Sequence, residues 1–135
     1  MGLGIRLGKT VWNVAVGSVA RAACLLPGID REYRIEERLS GPWPVGPYLW
    51  LHGASLGECR MLLNLACALR EDLVDCPKIL ITSQKAEVVS YLNEACAGIA
   101  NVSIAPADIP STLDSFVKAV QPLGLVLAEN ELWPG

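Results

Sequence analysis

The sequence contains one histidine and five cysteines, and no two cysteines form a C-x-x-C pair. A single imidazole and thiols scattered over positions 24, 59, 67, 76 and 96 do not make a zinc-ligand set, so no metal or cofactor site is expected. An odd number of irregularly spaced cysteines also argues against a disulfide framework. We expect reduced, partly buried thiols of a cytoplasmic protein.

A hydrophobic run long enough to cross a membrane is lacking in the apolar N-terminal stretch. Within residues 3–26 the longest stretch without charge is 10–20, eleven residues, whereas a spanning helix needs about 20. Arg21 interrupts the apolar run, which also argues against a secretory signal. Trp12 with Arg6 and Lys9 is typical of a helix lying on a membrane surface, and packing on its own domain or a partner is an equal alternative.

A large excess of one charge is also absent, because the formal net charge is −3. This balance excludes a general polyanion binder, and no nucleic-acid partner is expected. The charge is uneven, with six Lys/Arg against four Asp/Glu in residues 1–40 and five against ten in residues 41–135. A hydrophobic fraction of 52% in 135 residues indicates one well-buried domain rather than a disordered chain.

The pattern divides the chain into three parts. Residues 1–28 are predicted to form the apolar helix, a candidate membrane-surface anchor. Residues 29–47 combine a charged segment with a linker rich in proline and glycine, which cannot form regular structure. Residues 48–135 alternate strand and helix and form the predicted folded domain.

Apolar runs and helical patterns alternate through this third part. Strands are predicted at 48–51, 78–82, 102–105 and 123–128, and helices at about 57–70 and 85–95. Residues 110–114 are predicted to supply a cap before a third helix that ends at about 120. The first helix is apolar on nearly every face and is therefore expected to be buried. Strands joined by helices predict an α/β fold, a Rossmann-like parallel sheet with flanking helices.

The stretch from His52 to Glu58 is the candidate functional site. It follows a buried strand and opens a helix, so small residues from Gly53 to Gly57 and unpaired amides would border a ligand crevice. Glu58 would stand at its mouth. The pair Ser55 and Glu58 also has the spacing of a capping box, and both interpretations of Glu58 are compatible.

Three blocks in order along the chain resemble the 3-deoxy-D-manno-octulosonic acid (Kdo) transferase family. The segment from Trp50 to Glu58 is similar to W-x-H-x-x-S-x-G-E, preceded by Glu37-Arg38-Leu39. Residues 106–110 are close to P-x-D-x-P, and residues 129–134 resemble E-T-E-L-W-P. Together the blocks span about residues 34–135.

The resemblance implies the incomplete N-terminal half of a GT-B glycosyltransferase that transfers Kdo from CMP-Kdo to a lipid A precursor, with inversion and without a metal. It places the catalytic base at Glu58, with Ser55, Gly53 and Gly57 positioning the acceptor and Glu129 or Glu131 supporting the site. It also implies location at the cytoplasmic face of the inner membrane. The donor site would lie in a second domain outside these residues, so this chain alone is expected to be inactive.

Some residues depart from the family pattern. The loop after the second strand, 82–87, has lost most of the hydroxyls and the glycine of the family's Thr-rich loop, and Asn130 replaces a threonine. A Rossmann-like binding module and a non-catalytic remnant therefore stay open as alternatives. The loop at 53–57 lacks the G-x-G-x-x-G of dinucleotide sites, which argues against the former.

Further side chains near the site have competing interpretations. His52 is either a structural hydrogen-bonding group or a substrate contact. Trp50 and Trp133 are expected to be core or interface aromatics rather than sugar platforms. Arg38 and Arg60 are either solvated or placed to meet acceptor phosphates. The helix dipole would lower the basicity of Glu58, and we expect burial to offset this effect.

Overall fold

Within the part of the chain that the structure describes, a short helix is followed by a strict alternation of strand and helix. The computed structural model describes residues 34–128, so the predicted helix in residues 1–28 and the side chains of Glu129, Glu131 and Trp133 lie outside the described residues. The elements are α1 (Ile35–Ser40), β1 (Tyr48–His52), α2 (Leu56–Asp72), β2 (Ile79–Ser83), α3 (Ala86–Ala95), β3 (Asn101–Ile104), α4 (Pro110–Val120) and β4 (Pro122–Leu127).

The four strands form one parallel sheet in the order β3-β2-β1-β4. Trp50 lies opposite Leu80 and His52 opposite Thr82 in the register of β1 and β2. On the other side of β1, Leu51 pairs with Val126 of β4. The predicted α/β, Rossmann-like parallel sheet with flanking helices is confirmed.

Each face of the sheet has its own apolar core. The first face packs against α2 and α3, and its buried cluster comprises Leu51, Cys59, Leu62, Ala66, Ile79, Ile81, Val88, Leu92 and Cys96. The second face packs against α4, and its cluster comprises Tyr48, Leu80, Phe116 and Val120, with Trp43 and Trp50 against it. Alternate residues of β1 and β2 thus supply the two cores, as a buried parallel strand requires.

Residues 38–46, which precede β1, pack on the domain. The carbonyl of Arg38 accepts a hydrogen bond from the amide of Ala107 at 2.7 Å, and Gly46 N–H donates to the carbonyl of Ala119 at 2.9 Å. The Trp43 ring meets Phe116 edge-on at 5.2 Å. The proline and glycine segment therefore helps to cover the second face.

Two details of the helices differ from the prediction. The helix α4 starts at Pro110 with Ile109 as its N-cap, and it has no side-chain cap because isoleucine has no side-chain oxygen to accept a backbone N–H. Thr112 instead donates its hydroxyl proton to the carbonyl of Leu39 at 3.3 Å. The predicted burial of α2 on nearly every face is also wrong.

Only one side of α2 is buried, through Cys59, Leu62 and Ala66. Met61 and Leu65, on another side of the helix, are exposed. The exposure continues on β4, where Leu125 and other apolar side chains are open on a strand that pairs only with β1 among the described residues. An apolar helix surface is buried only where a neighbour covers it, and α2 has one such side.

Between residues 34 and 128, none of the helices combines the length and apolar character needed to span a bilayer.

Candidate functional site

The loop that joins β1 to α2 lies at the carboxyl edge of the sheet and turns sharply against the helix. Gly53 is buried, and its N–H donates to the carbonyl of Thr82 at 3.1 Å. A Cβ at this position would stand 3.1 Å from the Cys59 Sγ and 3.2 Å from the Glu58 Cβ. The close approach of the loop to the first turn of α2 explains why residue 53 has no side chain.

Ser55 is the N-cap of α2. Its Oγ accepts a hydrogen bond from the backbone N–H of Glu58 at 3.3 Å, and the Ser55 N–H donates to Glu58 Oε2 at 3.2 Å. This reciprocal pair is the capping box that the spacing predicts, and that prediction is confirmed.

The Glu58 carboxylate has more partners than the capping box requires. Its Oε2 also accepts the N–H of Ala54 at 2.6 Å, and its Oε1 accepts the hydroxyl proton of Ser55 at 2.7 Å. All of these bonds favour the charged form, so the loop holds the carboxylate in one position at the start of the helix.

These contacts lower the pKa of Glu58 below its ordinary value. The Ser55 hydroxyl has the largest effect, the amides of Ala54 and Ser55 lower the pKa further, and so does the charge of His52. Partial burial acts in the opposite direction and does not balance them. The expectation that burial offsets the effect of the helix terminus is therefore wrong, because the side chain is only partly buried while three donors serve its carboxylate.

His52 ends β1 directly before this loop. Its Nδ1 lies 2.9 Å from the Oγ1 of Thr82, which also accepts the indole N–H of Trp50 at 2.9 Å. The Trp50 ring packs on Phe116 with 4.7 Å between centroids. Trp50 is thus a core aromatic, as predicted.

Thr82 is a site residue that the motifs did not single out. The alternation of side chains along neighbouring strands could have pointed to it. Positions 50 and 52 lie on one face of β1, and Thr82, which lies opposite His52 on β2, is on the same face of the sheet.

The remaining candidates are placed differently around the site. Gly57 is exposed, and an added Cβ would meet nothing nearer than the Ser55 Oγ at 4.0 Å. Arg38 is half-buried, donates to the carbonyl of Ala105 at 3.3 Å, and has its pKa lowered by burial. Arg60 is exposed with its guanidinium 5.3 Å from the centre of the Tyr91 ring. The structure therefore brings Ser55, Gly53 and Glu58 together beside His52.

The four thiols in the described part of the chain contribute no reactive group to the site. Cys59, Cys67, Cys76 and Cys96 are free, which confirms the prediction of reduced cysteines for these four. Burial raises the pKa of the Cys59 thiol and raises that of Cys96 to about 11. Within residues 34–128 there is no group of three or more His, Cys, Asp or Glu side chains arranged to hold a metal ion.

The site lies inside a segment with known relatives. The model of a family described as "3-Deoxy-D-manno-octulosonic-acid transferase (kdotransferase)" matches residues 31–135. A probable mitochondrial 3-deoxy-D-manno-octulosonic acid transferase of Arabidopsis thaliana is 29% identical over 112 residues, covering 81% of this chain and 25% of the relative. The 3-deoxy-D-manno-octulosonic acid transferases of Chlamydia trachomatis and Chlamydia pneumoniae are 30% and 33% identical, each covering 65% of this chain and 20% of the relative.

The chain thus spans a quarter or less of the length of these curated relatives. The matched part includes β1, α2 and the whole loop between them.

Proposed function

Because this chain belongs to the Kdo transferase family, we propose that residues 48–135 form the acceptor-binding part of a GT-B glycosyltransferase that transfers Kdo from CMP-Kdo to a lipid A precursor. The observation that carries the proposal is the Glu58 carboxylate, held by loop donors at the carboxyl edge of the sheet within the matched residues. Crevices at this edge are where open α/β sheets bind ligands.

In the proposed reaction Glu58 acts as the general base. An acceptor hydroxyl oxygen attacks the anomeric carbon of Kdo, the bond to the CMP phosphate breaks with its electron pair leaving on CMP, and the hydroxyl proton passes to Glu58. The anomeric configuration inverts, and no metal is needed. Glu58 is ionised at neutral pH and can therefore accept a proton, while its lowered pKa makes it a weaker base than a free carboxylate.

The geometry distinguishes the two carboxylate oxygens of Glu58. Oε2 accepts two backbone N–H groups, from Ala54 and Ser55, which uses its lone pairs. Among the described residues Oε1 accepts only the Ser55 hydroxyl. Oε1 is therefore the atom with capacity for the acceptor proton, while Oε2 holds the side chain in place.

The neighbouring positions have supporting roles in this proposal. Gly57 leaves open space at the first turn of α2, so that the acceptor sugar can approach the backbone there. Ser55 and Gly53 fix the loop, and Glu129 or Glu131 supplies a second acid to the same site. We further propose that the lipid acceptor is met at the cytoplasmic face of the inner membrane, with residues 1–28 at its surface.

The donor site is proposed to lie in a second domain outside these 135 residues. The direct experiment therefore replaces the matching segment of the Chlamydia trachomatis transferase by residues 31–135 of this chain. The chimera is incubated with CMP-Kdo and a lipid A precursor, and mass spectrometry follows the acceptor. Addition of Kdo with release of CMP is expected, while the 135-residue chain alone gives none.

A chimera that folds as the parent transferase does, but transfers no Kdo under conditions in which the parent is active, would contradict the proposal. Tight binding of a nucleotide to the 135-residue chain alone would instead favour a binding module.

A further inference from the structure

Three polar side chains form a line across one face of the sheet and end at the proposed site. Trp50 and His52 lie on the same face of β1, and Thr82 stands beside them on β2. The Thr82 Oγ1 is 2.9 Å from the Trp50 Nε1 and 2.9 Å from the His52 Nδ1. One hydroxyl group therefore connects the core indole to the imidazole.

The positions of the protons follow from what each group can do. An indole nitrogen only donates, so the Thr82 oxygen must accept the Trp50 N–H. Thr82 is fully buried, at 0% exposure, so its own hydroxyl proton has no route to solvent. Within residues 34–128 the one acceptor at hydrogen-bonding distance from this hydroxyl, apart from its own residue, is His52 Nδ1.

We propose that Thr82 donates its proton to His52 Nδ1 and so fixes neutral His52 in the tautomer that carries its proton on Nε2. In the opposite tautomer Nδ1–H would donate to Thr82, and the buried hydroxyl proton would have no acceptor. Buried polar groups without partners are costly, and the hydrogen-bonded arrangement is favoured for that reason. Trp50 and Thr82 are positioning residues for the imidazole.

The tautomer assigns different roles to the two titratable groups at the head of the loop. This step rests on the proposed function. His52 is close enough to Glu58 for its charge to lower the pKa of that carboxyl. With Nδ1 already accepting from Thr82 and Nε2 carrying a proton, neutral His52 has no ring nitrogen left to accept the acceptor proton and is not a second base. Glu58 alone then receives the acceptor proton.

The chain is well suited to a direct test, because it contains one histidine. Long-range proton–nitrogen correlation spectra of the 135-residue chain, recorded well above the ordinary histidine pKa of about 6.5, report which ring nitrogen is protonated. The Nε2–H form is expected to exceed the other roughly tenfold or more, since a buried unsatisfied hydroxyl is avoided. Thr82→Val removes the hydroxyl at nearly constant volume and should lower this preference.

Thr82→Ser retains the hydroxyl and is the matched control, so it should preserve the wild-type ratio. Dominance of the Nδ1–H form in the wild type would overturn the inference. The wild-type spectrum alone gives this result, so the test stands even if Thr82→Val fails to fold. A ratio unchanged by Thr82→Val would also overturn it. The spectra involve no transfer reaction, so the assignment of the tautomer does not depend on whether the chimera transfers Kdo.

Discussion

Glu58 closes the first turn of its own helix with both carboxylate oxygens, and the same side chain is the proposed base. Its structural bonds leave one oxygen with a single partner among the described residues. A carboxylate can therefore cap the helix and still accept a proton. The structural role has its own measurable consequences, which need no substrate.

The acid dependence of stability follows from the direction of the Glu58 pKa shift. The pKa is lowered in the folded state, so the stabilisation is fully present above the ordinary value of 4.5 and is lost as the pH falls through the lower folded value. Glu58→Gln should reduce the free energy of unfolding at neutral pH by about 1 kcal/mol, as loss of a cap does. Urea denaturation at neutral and acidic pH measures the difference in free energy of unfolding between the wild type and Glu58→Gln. This difference should become smaller in acid.

Glu87→Gln is the matched control, because Glu87 is an exposed acid in the first turn of α3, a helix without a side-chain cap. Its effect should stay within about 0.5 kcal/mol. The loop bonds would not stabilise the ionised form if Glu58→Gln and Glu87→Gln changed the free energy of unfolding equally. The same would follow if the loss caused by Glu58→Gln became larger in acid.

The two glycines of the loop differ in whether the fold has room for a side chain at their position. Gly53→Ala places a Cβ 3.1 Å from the Cys59 Sγ and should lower the free energy of unfolding by about 1–3 kcal/mol, because the packed turn must shift. Gly57→Ala meets open space and should raise it by up to about 1 kcal/mol, since alanine favours the helix. Urea denaturation of both variants is the measurement.

Gly57→Ala also separates an effect on the stability of the fold from an effect on acceptor binding. In the chimeric transferase, Gly57→Ala should weaken the use of the acceptor although the protein is more stable. If Gly57→Ala destabilised the fold, the glycine would have a structural role that the contacts do not show.

At the level of elements, α4 is the helix that buries the second face of the sheet. Phe116 is fully buried between Trp43 and Trp50. Phe116→Ala should therefore cost about 3–5 kcal/mol, as large-to-small substitutions of buried aromatics do. Thermal and urea unfolding of the variant measure the loss.

Val117→Ala, on the exposed side of the same helix, is the control and should stay within about 1 kcal/mol. If both substitutions cost the same, burial under α4 would not be the source of stability on this face.

The positions of the four strands, of α2 and α3 and of the end of α4 could be predicted from the sequence, with each of these boundaries within two residues. The sequence predicted no bounds for α1. Alternation of apolar runs with helical patterns carries that information locally. The exposure of Met61 and Leu65 could not be predicted, because an apolar helix surface does not reveal which of its sides a neighbour covers.

Those contacts of the site that depend on local sequence could be predicted, and those that depend on neighbouring elements could not. The capping pair of Ser55 and Glu58 depends on local spacing and was found from it. The contact of Thr82 with His52 depends on which strands are neighbours and in what register, which the sequence of one strand does not contain. The pKa of Glu58 depends on the balance between burial, three hydrogen bonds to its carboxylate and the charge of His52, which needs coordinates.

On the scale of the whole molecule, the proposed reaction needs more protein than these residues provide. The chain covers 20–25% of the length of the Arabidopsis and Chlamydia relatives, and the exposed apolar side chains of β4 lie on a strand with one described neighbour. In the proposed function, β1, α2 and their loop form the acceptor half of the site. The complete reaction can therefore be tested only with a donor domain added.

The most direct measurement is the steady-state rate of Kdo transfer by the chimeric transferase with Glu58 and with Glu58→Gln. Glutamine keeps hydrogen-bonding capacity but cannot accept the proton, so kcat should fall roughly 100-fold or more, while KM for the acceptor changes little. Glu87→Gln should leave both constants as they are. A Glu58→Gln chimera that retained nearly normal kcat would contradict the assignment of Glu58 as the base.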